Sequence, residues 1–150
     1  MPANAGGSSA GEAWPLRVSR RRMGGLLLIA AWMPAAVRAE QLIAYEPATT
    51  TLTGTLAGGW FNHPNGERVR FWFVKVREPV RVRADPANPV NGDADGVRQI
   101  QVYSMDAAIR RQLGGRVGRP VTLTGAVFHG HNAWHVRTLV MAVTGVRRPA

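Results

Sequence analysis

Threonine alternates with apolar residues along Thr49-Thr50-Thr51-Leu52-Thr53-Gly54-Thr55-Leu56, and the tetrapeptide Thr-Leu-Thr-Gly returns at 122–125. A period of two belongs to a strand with one face buried. A glycine inside such a strand marks a sharp bend or bulge. Two strands carrying the same bend predict a small β structure that curves back on itself.

The remaining segments set the order of elements. Ala57 to Gly66 contains Gly58-Gly59 and His63-Pro64-Asn65-Gly66 and reads as a loop. Arg68 to Val76 is rich in β-formers, and Glu78-Pro79 is expected to break it. Val80 to Ala84 alternates apolar residues with Arg81 and Arg83. Asp85 to Gly96 reads as a long loop, and Val97 to Tyr103 resumes a strand. Ser104 is the expected N-cap of one helix, with Met105, Ile109 and Leu113 as its apolar stripe and Gly114-Gly115 as its end. Pro120 to Phe128 and Val136 to Val146 are the last two strands, with a turn at Gly130 to Trp134.

Three strands, a helix and two strands is the order of an OB-like five-stranded β-barrel. The fold class is all-β with one short helix. In an OB barrel the first and fourth strands are neighbours, so the two Thr-Leu-Thr-Gly copies would touch. The rival arrangement is an open α+β sandwich. Seventeen glycines and ten prolines in 150 residues agree with a turn-rich β protein.

The N-terminal stretch has a different character. Residues 1–16 are rich in Gly, Ser, Ala and Pro and read as a disordered leader. A basic block, Arg17-Val18-Ser19-Arg20-Arg21-Arg22, precedes the apolar run from Met23 to Val37, which ends at Val37-Arg38-Ala39. Basic block, apolar core and small-residue site in that order make a secretory signal. The run is shorter than the about 20 residues of a membrane span. Cleavage is expected after Ala39, leaving 40–150 as a single exported domain, periplasmic or secreted. Ser19-Arg20-Arg21 also fits a twin-arginine signal.

Charge and residue inventory narrow the function. The chain carries 19 Lys+Arg against 9 Asp+Glu, net +10. Removing the leader takes five arginines and Glu12, which leaves 14 basic and 8 acidic groups, net +6. With no cysteine there is no disulfide, thiolate zinc site or Cys nucleophile. Ser104 is the single serine after residue 39, and the carboxylates are scattered. The sequence therefore favours a non-catalytic binding or accessory module over an enzyme. Small ligands, glycans or proteins are the partners considered. An aromatic strand with Phe71, Trp72 and Phe73 could present stacked bases, but export and modest charge disfavour nucleic acid, and Phe71 and Phe73 are expected in the core.

Two constellations could carry chemistry. Asn91-Gly92-Asp93-Ala94-Asp95-Gly96 resembles half of a calcium loop, but its twelfth position is Val102 where a Glu is required. It reads as a solvated acidic loop. All four histidines fall near two expected strand connections, His63 in one and His129, His131 and His135 in the other. In an OB barrel these loops flank the ligand groove. Trp60, Phe61, His63 and Trp134 are thus the expected ligand rim. His129, His131 and His135 could supply three nitrogens, a set that suits zinc or copper. The alternative reading of the protein is a metal carrier or small metal-dependent enzyme.

Ala44-Tyr45-Glu46-Pro47, Thr51-Leu52-Thr53-Gly54-Thr55-Leu56 and the run from Gly118 to His131 resemble the bacterial domain of unknown function 4431. The resemblance spans most of 44–146. It implies export and a histidine-rich hairpin, carried here by His129, His131 and His135. It implies no activity, since the family is uncharacterised. Relatives often have further histidines at the positions of Trp134 and Val136, and cysteines at those of Leu42 and Arg81. Loss of both cysteines together would fit a dropped disulfide.

Overall fold

A computed structural model describes residues 39–150. The leader and signal segment lie outside the described residues, except for Ala39 itself, which is exposed. Six strands and one helix follow in the order β1 (Gln41–Ile43), β2 (Thr49–Asn62), β3 (Arg68–Val82), β4 (Ala94–Tyr103), α1 (Ala107–Gly114), β5 (Pro120–His129) and β6 (Leu139–Arg147). The sheet order is β1-β3-β2-β5-β6-β4, and an additional β3–β4 pairing closes β2 to β6 into a ring of hydrogen bonds. Helix α1 falls between the third and fourth strands of that ring. This is the OB-like connectivity expected from the element order. An open sandwich would lack the closing pair.

The repeated tetrapeptides are neighbours. Thr51 pairs with Thr124, Leu52 with Leu123 and Thr53 with Thr122 across the antiparallel β2–β5 ladder. Gly54 is where β2 changes partners, since it pairs with Val121 of β5 and Val76 of β3. A Cβ there would collide with the Lys75 carbonyl oxygen. Gly125 sits at a register shift between β5 and β6, and its Cβ would collide with the Ala142 carbonyl oxygen. Both glycines let a neighbouring backbone come closer than any side chain permits.

Several local expectations are corrected. β2 does not stop before Gly58-Gly59 but runs to Asn62, because Phe71 of β3 fills the space over Gly59. β3 does not break at Glu78-Pro79. Its ladder to β4 shifts register between Lys75 and Val80, and a bulge there asks no N–H of Pro79. Strand β1, not foreseen, pairs in parallel with the end of β3, placing Leu42 opposite Arg81. The N-cap of α1 is Asp106, not Ser104: its carboxylate accepts from the backbone N–H groups of Ala108 and Ile109. Ser104 instead accepts the Asp106 N–H. The helix thus begins later, and Met105 precedes it with 84% exposure. Leu113 is fully buried, Ile109 packs partly against the core, and Gly115 caps the end.

The core inside the ring is built by Leu52, Leu56, Val74, Ile100, Leu123 and Met141, all fully buried. The acidic loop before β4 is spent on structure. Asp93 accepts the Ala84 N–H at 2.9 Å, and Asp95 pairs with Arg81 at 2.6 Å. Tyr45 is buried beside it and donates to the Gly92 carbonyl. Burial, then the charge of Asp93, pushes the Tyr45 phenol above its ordinary pKa.

Candidate ligand cleft

Strand alternation gives β3 two faces. Trp72 and Val74 point to the core side, where Val74 is fully buried. Phe71 and Phe73 share the other face: Phe73 is buried as expected, though apart from the cluster inside the ring, and Phe71 is only half-buried, which corrects its expected place in the core. They stack with ring centroids 5.6 Å apart, and Phe61 of β2 meets Phe71 edge-on at 5.9 Å. Gly59 pairs with Phe71 across the ladder, and having no side chain it leaves room for that ring. The result is an aromatic platform on the outside of the ring.

The loop between β5 and β6 folds over this platform. Gly130 opens it, donating its N–H to the Thr138 carbonyl at 2.8 Å, and a Cβ at Gly130 would strike the Arg137 carbonyl. The Asn132 side chain accepts the Trp134 N–H at 2.9 Å, making a tight turn. Gln101 of β4 then fixes the loop to the sheet. Its amide nitrogen donates to the Trp134 carbonyl at 2.8 Å, and its amide oxygen accepts the Val136 N–H at 2.7 Å. Gln101 is buried, with both ends of its amide satisfied. Arg137 lies over the platform with its guanidinium 5.3 Å from the Phe71 ring and 5.1 Å from Phe73. This cover is why Phe73 is buried although it faces away from the core.

The loop tip reaches the turn after β2. The rings of His63 and Trp134 stack at 4.1 Å, with 26° between their planes. Phe61 meets Trp134 edge-on at 6.5 Å and His63 at 6.3 Å. Three of the expected rim residues, Phe61, His63 and Trp134, therefore come together from segments distant in sequence. Trp60, the fourth, does not join them. It alternates to the other side of β2, is 56% exposed, and carries the Arg68 guanidinium 5.0 Å over its ring.

Between platform and loop lies a cavity of about 430 Å³. It opens where β4 ends at Tyr103 while β3 continues toward Arg68. Four aromatic side chains line it: Phe61, Phe71, Tyr103 and Trp134, while Trp72 borders it from β3 with its ring turned to the core side against Gly114. Gln101, Asn132 and His135 supply its polar lining, and no carboxylate lines it. Rings for contact area and a few placed polar groups are the usual make-up of a small-ligand site.

The hairpin histidines are arranged as a pair and a neighbour. The His131 backbone N–H donates to Nδ1 of His135 at 3.1 Å, and the two rings lie 5.0 Å apart. Nδ1 of His135 is therefore unprotonated. Burial, then the charge of His131, holds the His135 imidazole below its ordinary pKa. Nδ1 of His131 is 3.0 Å from the His129 carbonyl, and Nδ1 of His129 is 3.2 Å from the Gly130 carbonyl. Among the described residues no group of three or more His, Asp or Glu side chains is placed to hold a metal ion.

Gln101, Arg137 and Tyr103 were not singled out by sequence. Gln101 is a polar residue between Ile100 and Val102, which is the pattern of any half-buried strand. Its partners in the hairpin are more than thirty residues away, so no local signal marks it.

No curated protein matches this chain. Residues 99–147, from within β4 to the end of β6, match the family described as Domain of unknown function (DUF4431), so the chain resembles that family through the strands and hairpin that cover the cleft.

Proposed function

We propose that this domain is a non-catalytic binding module of an exported protein, taking a small saccharide or comparable ring in the cleft between β3, the end of β4 and the 130–138 loop. The observation that carries the reading is the lining: the aromatic side chains of Phe61, Phe71, Tyr103 and Trp134 around about 430 Å³, with Gln101, Asn132 and His135 as polar groups. A lining without a carboxylate favours a neutral or anionic ligand. The position also fits, because loops after the first and fourth strands flank the ligand groove of OB-like folds. Export rests on the segment from Arg17 to Ala39.

Two measurements test this. Native mass spectrometry of protein recovered from the periplasm of its host should show a co-purified small molecule, lost in Trp134→Ala. Tryptophan fluorescence titration with neutral and uronic saccharides should show binding that weakens about tenfold or more in Trp134→Ala, the order of a lost binding hot spot. Saccharide binding that Trp134→Ala leaves unchanged refutes the site. N-terminal sequencing should begin at Glu40, and a chain retaining Met1 in the cytoplasm refutes export.

A further inference from the structure

A second concave region lies where α1 ends and β5 begins. A cavity of about 730 Å³ is lined by Arg116, Arg119 and Arg148 together with Gln112, Gly115, Pro120 and Pro149. A neighbouring cavity of about 470 Å³ shares Pro120 and Pro149 and adds Lys75, Arg77 and Arg98. The two adjoin at Pro120 and Pro149, so that six cationic and no acidic residues line one continuous region, the Lys75 ammonium at its far side lying 6.0 Å over the Phe73 ring. Among the described residues every ion pair uses Arg81 or Arg83, so none of these six is neutralised by a neighbour. The C-terminal end of α1 contributes roughly half a negative charge at most, too little to balance them.

We infer that this groove binds a linear polyanion bearing two or more phosphate groups. Planar guanidinium forks match phosphate oxygens two at a time, which a point charge does not. Several phosphates in one chain are needed because the cations are divided between two cavities. No aromatic residue lines either cavity. Stacking, the sequence-tolerant grip on single-stranded nucleic acid, is therefore missing. The groove is also concave, which suits a flexible chain better than the flat face of a bilayer. This site shares no lining residue with the aromatic cleft, and it stands or falls independently of the reading proposed for that cleft.

The test uses the full chain and three double variants: Arg116→Gln/Arg148→Gln and Arg77→Gln/Arg98→Gln in the groove, and Arg20→Gln/Arg21→Gln in the N-terminal basic block. Circular dichroism confirms folding of each, and the two groove pairs serve as alternates should one fail to fold. Calorimetric titration should show tripolyphosphate binding more tightly than orthophosphate, with affinity falling as salt rises. Each groove variant should weaken it about tenfold or more, the order expected for losing charge-assisted bidentate bonds, while the N-terminal variant leaves it unchanged. Absent tripolyphosphate binding overturns the proposal. So does a loss confined to the Arg20/Arg21 variant. Groove-dependent capture of phosphatidylglycerol vesicles or of a single-stranded oligonucleotide, in preference to tripolyphosphate, overturns it too.

Discussion

Leu52 and Leu123 face each other across the β2–β5 ladder, both fully buried, each at the second position of an identical tetrapeptide. The flanking threonines pair as well, and the hydroxyls of Thr53 and Thr122 lie 3.2 Å apart. Because the copies run antiparallel, the glycine of each lies at an opposite end of the pairing. One bends β2 toward β3, and the other lets β5 meet β6.

Filling either bend should be costly. Gly54→Ala and Gly125→Ala would each drive a methyl group into a backbone carbonyl of the next strand. A loss of about 1–3 kcal/mol is expected for each in urea unfolding. Gly92→Ala, which meets open space, should stay within about 0.5 kcal/mol.

The helix makes a paired prediction. Leu113→Ala removes a fully buried side chain and should cost about 2–5 kcal/mol. Met105→Ala removes one that is 84% exposed and should change stability by less than about 0.5 kcal/mol. Equal effects would mean that the apolar stripe starts before Asp106 after all.

Gln101→Ala should free the 130–138 loop without unfolding the ring. Hydrogen exchange at the Val136 amide, which Gln101 accepts, should accelerate, while amides in the centre of β5 stay protected. Fluorescence of Trp134 should shift toward that of an exposed indole as its stack on His63 loosens. Unchanged exchange at Val136 would show that the loop is held by something other than this amide.

Acid should act on the same loop through His135. Its imidazole is held below the ordinary pKa of 6.5, first by burial and then by His131. The unfolded chain therefore binds a proton that the folded one resists. The stability contributed by neutral His135 is present above 6.5 and is lost as pH falls from there toward the lower folded value. Protonation would also abolish Nδ1 as acceptor for the His131 N–H. Melting temperature measured between pH 7.5 and pH 5 should fall more steeply for wild type than for His135→Gln (about one titrating group's difference). Parallel curves would remove His135 from the account.

The β1–β3 register can be checked covalently. Leu42 and Arg81 are partners on adjacent parallel strands, a spacing of about 4.7–4.9 Å that falls within disulfide range. Leu42→Cys/Arg81→Cys should oxidise to an intramolecular bridge seen as a 2 Da mass loss (roughly two hydrogens). Leu42→Cys/Arg83→Cys, off register by two, should not.

Much of the ring could be anticipated, and the reason is local periodicity. Alternation marked β2, β5 and β6, and the duplicated glycines pointed to the neighbours they bend toward. The errors arose where a distant partner overrides a local breaker. Phe71 rescues the strand across Gly59, and a bulge absorbs Pro79. The meeting of Phe61, His63 and Trp134 followed from topology alone. The orientation of Phe71 and Phe73 did not, because alternation states that two residues share a face but not which face. Gln101 and Arg137 acquire meaning only when the hairpin lies on the sheet, a contact that no nearby residue encodes.

The ring has two kinds of junction. The β2-β3-β4 meander and the β5–β6 hairpin are each paired between consecutive strands, whereas β2–β5 and β4–β6 join the two halves over long stretches of chain. The β4–β6 junction has only three register partners, Gln101 to Tyr103 against Val140 to Ala142. The aromatic platform belongs to the meander and its cover to the hairpin, so neither half alone possesses a cleft. A molecule seated there would hold the halves together, and its binding energy would add directly to the cooperativity of folding. Under the proposed function, recognition would thereby be coupled to the assembly of the whole ring rather than to the ordering of one loop.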